Sequence, residues 1–342
     1  MLFRSGDFAI AVRNGAHPAQ PQLDPRLIKN APTTFGSEGV GADGGFAVPG
    51  DFKSEITKLV FGDGSIIAST DQQTSTSNMM TFPVDEASPW GNNGIQANWE
   101  GEGEQRSQSK ISIKPAQIRL NKLGSLVPIT EELADDAAGL DSYLRSKVPE
   151  VLDYKINDAI INGTGAGMPL GILNSGALVT VAKESGQTAD TVVYSNIIKM
   201  WSRMRARDRK TAVWYINQDI EPQLYGLSFE GASSSVPAYM PANGLSGQPY
   251  GTLFGRPVIP LENAQTLGDK GDIILANMKG YLTGQKVGGM RSDVSMHLWF
   301  DYDVLAYKFT VRVAGQPWLS APIAAANGSN TYSPFVTFTA RA

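Results

Sequence analysis

The sequence predicts an α+β fold, and three observations lead to this prediction. Residues 140–160 repeat apolar side chains at the 3.6-residue period of an amphipathic helix. The second half of the chain alternates short helical segments with short apolar runs that are typical of strands. Ahead of both, two strand-like segments enclose the polar residues 87–110. A loop of that length is unusual within a compact domain and is usually functional.

The composition excludes several classes of protein. The 342 residues include no cysteine and two histidines, with 29 basic and 33 acidic side chains and a net charge of −4. Without cysteine there are no disulfides, thiolate zinc sites, iron–sulfur clusters or cysteine nucleophiles. His17 and His297 leave little for histidine-based catalysis or metal binding, so we expect no cofactor. The net charge argues against a dedicated nucleic-acid-binding protein.

The apolar content and its distribution predict a soluble, folded chain. Hydrophobic residues make up 42% of the sequence, enough for a core, and the length allows about two domains or one large irregular one. No apolar run reaches the ~20 residues of a membrane-spanning helix, and the start lacks the apolar core of a signal peptide. We expect synthesis and use in a reducing cytoplasm, with no membrane partner.

Residues 1–50 are predicted to form an extended arm. Ser5 caps a short helix that carries Phe8 and Val12, and four prolines and a glycine-rich patch follow. Such a segment has too few periodic apolar residues to fold alone. We expect either that this arm becomes ordered by packing against another surface or that it is a flexible terminus. A helix is predicted next, over residues 51–60.

A long projecting hairpin is predicted after this helix. Residues 79–84 form its first strand, and residues 111–120 alternate apolar and polar side chains around Pro115, as an edge strand does. Trp90 and Trp99 are the aromatic residues of the polar segment between the two strands. The hairpin indicates a partner outside the chain.

A short helix over residues 130–138 and a long one over residues 140–160 follow, and Asn162-Gly163 is the stop signal of the second. Pro149 removes a backbone donor inside the long helix, so we expect a kink there or a break into two helices.

The sequence contains no internal repeat and no clear linker between domains, so we expect two lobes that are each built from non-contiguous segments. Further helices are predicted over residues 195–205 and 219–226, with strands over residues 212–216, 257–260, 273–276, 280–283, 294–300, 307–313 and 335–339.

Residues 162–167, Asn-Gly-Thr-Gly-Ala-Gly, have the glycine spacing of half a dinucleotide-binding fingerprint. A phosphate-binding loop needs a strand before it and a helix after it. This motif instead follows a helix and leads to Pro169. We therefore interpret it as a structural turn.

Glu100, Glu102 and Glu104 lie two residues apart, and on a strand they would share one face. Such a strip could hold calcium or act as a carboxylate pair, but no second acidic cluster lies nearby in the sequence. We favour a solvated acidic strip that faces an interface.

One dense basic run is present, with Asp208 as its single acid. Cations at a helix end interact favourably with the helix dipole and solvate the surface, and we favour that role over phosphate contact. No serine–histidine–acid signature is present, so no catalytic set is predicted. The basic residues are Lys199, Arg203, Arg205, Arg207, Arg209 and Lys210.

Seven short segments stand out along the chain. They are residues 44–49 (GGFAVP), 99–104 (WEGEGE), 127–136 (VPITEELADD), 161–172 (INGTGAGMPLGI), 251–258 (GTLFGRPV), 280–289 (GYLTGQKVGG) and 312–315 (RVAG). In this order, the seven strings resemble segments of the major capsid proteins of tailed bacteriophages. They span residues 44 to 315, and their shared order makes the resemblance specific.

The resemblance implies the Hong Kong 97 fold of that family. Arm and hairpin would then be ordered by neighbouring subunits, which bury more surface together than a compact monomer can. The expected parts are an N-terminal arm (1–50), the start of the peripheral domain (51–77), an extended β-hairpin loop (78–127), the peripheral domain with a long spine helix (128–187), an axial domain (188–300) and the peripheral-domain return strands (301–342).

The resemblance also implies a virion structural protein that self-assembles into the pentamers and hexamers of an icosahedral capsid around double-stranded DNA. Expected partners are portal, scaffolding and decoration proteins and the packaged DNA, by non-specific contact. The expected location is the virion capsid, with assembly in the host cytoplasm. The basic run would face the interior, or pair with the acidic strip of a neighbour. Extended-loop contacts to a neighbour are expected from Trp90, Trp99, Glu100, Glu102, Glu104, Arg106 and Lys110.

Some members of that family join subunits through a lysine and an asparagine, assisted by a glutamate. The matching positions fall near Gln105, Tyr307 and Ala314 or Gly315, and none fits, with Lys110 the nearest lysine. We therefore expect a shell without crosslinks. The large N-terminal scaffolding region of many members is absent, so we expect its cleavage before residue 1 or a separate scaffolding protein.

Two other classes of function stay open from the sequence. An encapsulin-like compartment would use the same fold to hold an enzyme cargo. A soluble hydrolase would use residues 100–104 in its active site.

Overall fold

The computed structural model describes residues 66–91, 93–105, 107–136, 140–227, 237–240 and 251–341. The predicted arm, the predicted helix over residues 51–60 and most of the loop over residues 228–256 lie outside them. The chain divides into two compact units. In the described residues, the smaller unit comprises residues 125–144 and 292–309, and the larger unit comprises the rest.

The helices and strands are numbered here along the chain. The helices are α1 (Ile66–Ser69), α2 (Glu131–Asp136), α3 (Leu140–Asn162), α4 (Tyr194–Arg203) and α5 (Glu221–Tyr225). The strands are β1 (Asp71–Ser75), β2 (Met79–Val84), β3 (Lys114–Arg119), β4 (Asn121–Thr130), β5 (Val179–Val181), β6 (Val213–Ile216), β7 (Tyr239–Met240), β8 (Thr252–Leu253), β9 (Arg256–Pro260), β10 (Ile273–Ala276), β11 (Tyr281–Lys286), β12 (Arg291–Trp299), β13 (Val304–Pro317), β14 (Ile323–Ala324), β15 (Thr331–Tyr332) and β16 (Phe335–Phe338).

The larger unit is built on a seven-stranded sheet with the order β5-β16-β10-β6-β9-β8-β7. Its central strands are buried on both faces, because alternate residues enter different cores. Trp214 and Leu275 pack in one core with Met200 of α4. Tyr215 and Ile274 pack in the other, which also contains the end of α3. The predicted strand over residues 273–276 is confirmed with the same bounds.

A second set of paired strands in the larger unit includes β1, whose sequence is polar. β1 pairs in parallel with β11, and β11 pairs antiparallel with residues 313–317 of β13. β1 reads Asp-Gln-Gln-Thr-Ser, and no strand was predicted there because it lacks apolar alternation. Its ladder is made by backbone groups, which the side-chain pattern does not report.

The smaller unit contains α2 and residues of α3, β4, β12 and β13. Lys308 Nζ lies 3.0 Å from the carboxylate of Asp293, and the Glu131 N–H donates to the Asp303 carbonyl at 2.9 Å. Asp303 has a φ of +50°, in the left-handed region, at the turn from β12 into β13. The exposed apolar residues of this turn and of β12 are Val294, Met296, Leu298, Phe300 and Tyr302.

The long helix α3 was predicted with nearly its observed bounds. It continues as one helix through Pro149, so the predicted break into two helices is wrong, whereas the alternative of a kink stays a prediction. Proline inside a helix costs about 3 kcal/mol, and burial of Val148 and Leu152 offsets this with about 1.5–3 kcal/mol each. Tyr143 and Val151, expected on the apolar stripe, are instead exposed.

Candidate assembly surface

The predicted hairpin is present. β2 and β3 pair antiparallel along their whole length, and the described part of residues 85–113 between them contains no helix or strand. The first strand has its predicted bounds, whereas the second is shorter than predicted. Pro83 faces Pro115 across the ladder. Neither residue has a backbone donor, and proline at a strand edge discourages pairing with a further strand.

Residues 85–113, called the extended loop below, expose large apolar side chains. Trp99 is fully exposed, and Trp90 is half-exposed although its Nε1 donates to the Ala324 carbonyl at 3.0 Å. Large exposed apolar side chains are typical of a surface that another molecule covers. The remaining exposed apolar residues of this loop are Ile95, Ile111 and Ile113.

The acidic strip is a turn and not a strand. The Glu104 N–H donates to the Gly101 carbonyl at 3.3 Å, and the Gly101 N–H donates to Glu104 Oε2 at 3.1 Å. Gly103 has a φ of +83°, which favours glycine. Glu100, Glu102 and Glu104 are all exposed, as the interface interpretation requires, but they do not share a strand face.

The positions considered for a crosslink have different environments. Gln105 and Lys110 are exposed on the extended loop, and Arg106 lies outside the described residues. Tyr307 is half-buried, while Ala314 is fully buried.

The base of the extended loop is attached to the chain that follows β13. The Ser320 hydroxyl donates to Glu86 Oε2 at 2.6 Å, and the Phe82 ring packs edge-on against the Trp318 ring with centroids 5.7 Å apart. These contacts join residues more than 200 positions apart. No local pattern in the sequence predicts these contacts.

Three residues of the basic run contact neighbouring parts of the same chain. Lys199 pairs with Glu184 at 2.7 Å, and an Arg203 nitrogen donates to Asn330 Oδ1 at 2.6 Å. The Lys210 carbonyl accepts a hydrogen bond from Arg256.

The other part of the basic run surrounds Asp208, which is buried. Arg205 donates to its carboxylate, and Asn277 Nδ2 donates to it at 3.0 Å. Arg207 lies 3.6 Å from the same carboxylate but is 80% exposed. Arg209 lies over the Trp201 ring, 5.3 Å from its centroid. Most of this run therefore has partners within the chain, which favours the structural interpretation over phosphate contact.

The glycine motif is a tight turn after α3, as the structural interpretation predicts. Gly165 and Gly167 have φ values of +81° and +73°. Gly163 has no positive φ, but a Cβ there would lie 2.2 Å from the Pro169 carbonyl oxygen. Helix α3 and not a strand leads directly into the motif, so the strand–turn–helix arrangement of a dinucleotide-binding loop is not formed here.

Three of the seven strings meet at one buried point. The Tyr281 hydroxyl donates to the Leu170 carbonyl at 2.9 Å, and the Leu170 N–H donates to the Gly315 carbonyl at 2.8 Å. A Cβ on Gly315 would lie 2.4 Å from the Tyr281 hydroxyl oxygen. Burial raises the pKa of Tyr281, so its hydroxyl stays a donor. The strings are thus joined by packing and hydrogen bonding.

The described residues hold no group of three or more histidine, aspartate or glutamate side chains with the geometry of a metal site. Among the same residues, no helix is long and apolar enough to cross a membrane.

These surfaces are typical of a structural protein that associates with other chains. A model of the phage capsid family matches residues 44–328. The chain therefore belongs to the phage capsid family, and its fold is that of a major capsid protein. No curated protein sequence is significantly similar to it.

Solved structures share the fold at low sequence identity. The capsid of a native GTA particle with C5 symmetry is 14% identical with a TM-score of 0.62, covering 93% of this chain and 97% of that one. The Microbacterium phage Oxtober96 structure is 13% identical with a TM-score of 0.58, covering 92% and 96%. The Mycobacterium phage Adephagia structure is 13% identical with a TM-score of 0.56, covering 92% and 95%. These matches confirm the predicted Hong Kong 97-like α+β fold and do not favour the encapsulin-like alternative.

Proposed function

We propose that this major capsid protein self-assembles into the pentamers and hexamers of an icosahedral shell that encloses the double-stranded DNA of a tailed bacteriophage. Residues 78–127 are then the long β-hairpin of that family, made of β2, the extended loop, β3 and most of β4, and α3 is the spine helix. The shell is the capsid of the virion, built in the host cytoplasm. Closed rings of heterologous contacts, tiled over a surface, are the architecture that such a protein needs.

One observation carries this proposal beyond the family match: the fully exposed Trp99 on an irregular loop that also exposes three isoleucines. Burial of each such side chain is worth about 1.5–3 kcal/mol. Association with a neighbouring copy recovers that free energy, which folding of one chain leaves unused. The extended-loop residues from Trp90 to Lys110 are therefore proposed contacts to a neighbour.

Catalysis has no part in the proposed function. The three glutamates of the extended loop lie on a turn and are all exposed to solvent. Glycosidase-type carboxylate pairs flank a bound substrate across a cleft, which this turn does not provide. A hydrolase with residues 100–104 in its site is therefore not supported.

Electron microscopy of the purified chain tests the assembly proposal. We expect hollow icosahedral particles with pentameric and hexameric capsomers, and particles from infected cells are expected to contain nuclease-protected DNA. A chain that remains monomeric under all conditions, or particles filled with protein cargo, would contradict the proposal.

We also propose that the shell lacks covalent crosslinks, because the three positions matching the crosslinking residues carry glutamine, tyrosine and alanine or glycine. Packing and a decoration protein hold it instead. Mature particles, boiled in denaturant, should run as a single band at the monomer mass of 36.7 kDa. A ladder of covalent multimers would refute this.

Portal, scaffolding and decoration proteins are the other proposed partners, together with DNA held by non-specific contact. The basic run is the proposed site for DNA, and Arg207 is its most exposed arginine with an ion pair. Arg207→Glu should lower the DNA content of particles, because Arg207 is exposed whereas Arg205 is bound to the buried Asp208. Unchanged DNA content would overturn this role.

A further inference from the structure

A cleft of about 230 Å³ lies beside the end of α3, entirely within the larger unit. Sites that enclose drug-sized ligands usually measure roughly 300–1,000 Å³, so this cleft is closer in size to one large side chain. The start of β4, the last turns of α3 and the glycine turn form its walls. Its apolar lining consists of Leu123, Ile156, Ala159, Met168, Pro169 and Val313.

Lysines flank this apolar lining. Lys122 and Lys155 both line the cleft and are exposed. Asp158 is the one acid in the lining, and its Oδ1 accepts a hydrogen bond from Asn162 Nδ2 at 2.8 Å. The charged groups of the lining therefore carry a net positive charge, with the acid held by a neighbouring amide.

The end of α3 gives the cleft a defined shape. Asn162 Nδ2 also donates to the Asn263 carbonyl at 2.8 Å, and Asn162 Oδ1 accepts from Gln265 Nε2 at 3.0 Å. The Gly163 N–H donates to the Ala159 carbonyl at 3.0 Å. A preformed, hydrogen-bonded wall loses little conformational entropy when a side chain enters.

We propose that this cleft receives Trp99 from the extended loop of a second copy of the chain, with Glu102 of that loop beside Lys122 and Lys155. The proposal rests on the proposed assembly function and names the receiving site. An indole has the apolar body that the lining requires, and a tryptophan buries roughly 150–250 Å² when it is enclosed.

Charge complementarity favours this occupant. The residues that follow Trp99 include three glutamates and no basic residue before Arg106. A segment with one exposed aromatic group followed by carboxylates matches an apolar cleft flanked by lysines. Aromatic anchors in desolvated pockets with charged groups at the rim are typical of the residues that dominate binding free energy at interfaces.

Cysteine crosslinking tests the proposal, and the chain suits it because it contains no cysteine of its own. Asn98→Cys keeps Trp99 in place, and Met168→Cys puts a thiol in the cleft. Assembled particles of the double variant, treated with a short bismaleimide, should give covalent multimers on a denaturing gel. The matched control is Asn98→Cys with Ile198→Cys, because Ile198 is as exposed as Met168 but does not line the cleft.

The outcomes separate this proposal from the assembly proposal. Multimers from the Met168 pair and none from the control support the cleft as the receiving site. Particles that form without crosslinks, or with equal crosslinks in both variants, overturn the cleft assignment and leave assembly intact. A crosslink within one chain, without multimers, would place the chain's own loop in the cleft and also overturn it. Failure of the unmodified chain to form particles would count against assembly itself.

A charge exchange gives a second test that needs no thiol chemistry. Glu102→Lys and Lys155→Glu, each alone, should raise the concentration needed for assembly about tenfold, and the double variant should recover most of that loss. Circular dichroism of the unassembled chains checks that all three fold. Additive losses in the double variant would overturn the pairing.

Discussion

The seven-stranded sheet and the extended loop use tryptophan in opposite ways. Trp214 in β6 is fully buried, and its Nε1 donates to the Leu253 carbonyl at 3.0 Å. Trp99 in the extended loop is fully exposed. One side chain contributes to folding of a single chain, and the other is available for association. The difference indicates that fold stability and assembly depend on separate sets of residues, which mutation can separate.

The largest expected effect concerns a buried ion pair in the larger unit. Arg341 donates to both carboxylate oxygens of Asp272, and both side chains are fully buried. Arg341→Met leaves the carboxylate buried without its counter-charge, so the free energy of unfolding should fall by about 3–5 kcal/mol. Urea denaturation of the unassembled chain measures this.

Lys147→Met is the control for that measurement. Lys147 pairs with Glu150 on the surface of α3, and both side chains are largely exposed. We expect a change of no more than about 0.5 kcal/mol. Equal losses from the two variants would contradict the importance of burial.

The next effect concerns the close packing of Gly315 against Tyr281. Gly315→Ala would place a methyl group 2.4 Å from the Tyr281 hydroxyl oxygen, so we expect a loss of about 1–3 kcal/mol of unfolding free energy. Gly226→Ala is the control, because a Cβ there would lie 3.5 Å from its nearest neighbour. Thermal unfolding of both variants should rank Gly315→Ala as the less stable one.

An effect of similar size should distinguish two arginines of the basic run. Arg205 is mostly buried and donates to the buried Asp208, whereas Arg207 is 80% exposed. We expect Arg205→Met to cost about 1–3 kcal/mol of unfolding free energy and Arg207→Met less than about 0.5 kcal/mol. Chemical denaturation is again the measurement. A reversed order would show that Arg207 has the structural role.

Local sequence patterns predicted those helices and strands whose own residues carry the apolar pattern of a helix or a strand. The apolar period marked α3, and the four apolar residues of β10 marked a fully buried strand. The long hairpin was predicted because apolar alternation stops between its strands. Trp90 and Trp99 were singled out as the aromatic residues of its polar segment, but their exposure was seen only in the structure.

The rest depends on contacts between distant parts of the chain. Pro149 predicted a kink or a break, and the helix does not break because packing of α3 outweighs the lost hydrogen bond. β1 has no apolar alternation and is recognised only by its pairing with β11. The cleft escaped prediction for the same reason, because its lining comes from β4, α3, the glycine turn and Val313. No single segment of the sequence contains all the lining residues of the cleft, so no local pattern indicates it.

The most direct test of this separation compares Trp99→Ala with Trp214→Ala in two assays, urea denaturation of the unassembled chain and electron microscopy of particles. Trp214→Ala should lower the free energy of unfolding by about 3–5 kcal/mol. Trp99→Ala should change it by less than about 0.5 kcal/mol and yet greatly reduce the yield of particles. Wild-type particle yield from Trp99→Ala, or a loss of stability equal to that of Trp214→Ala, would contradict the account.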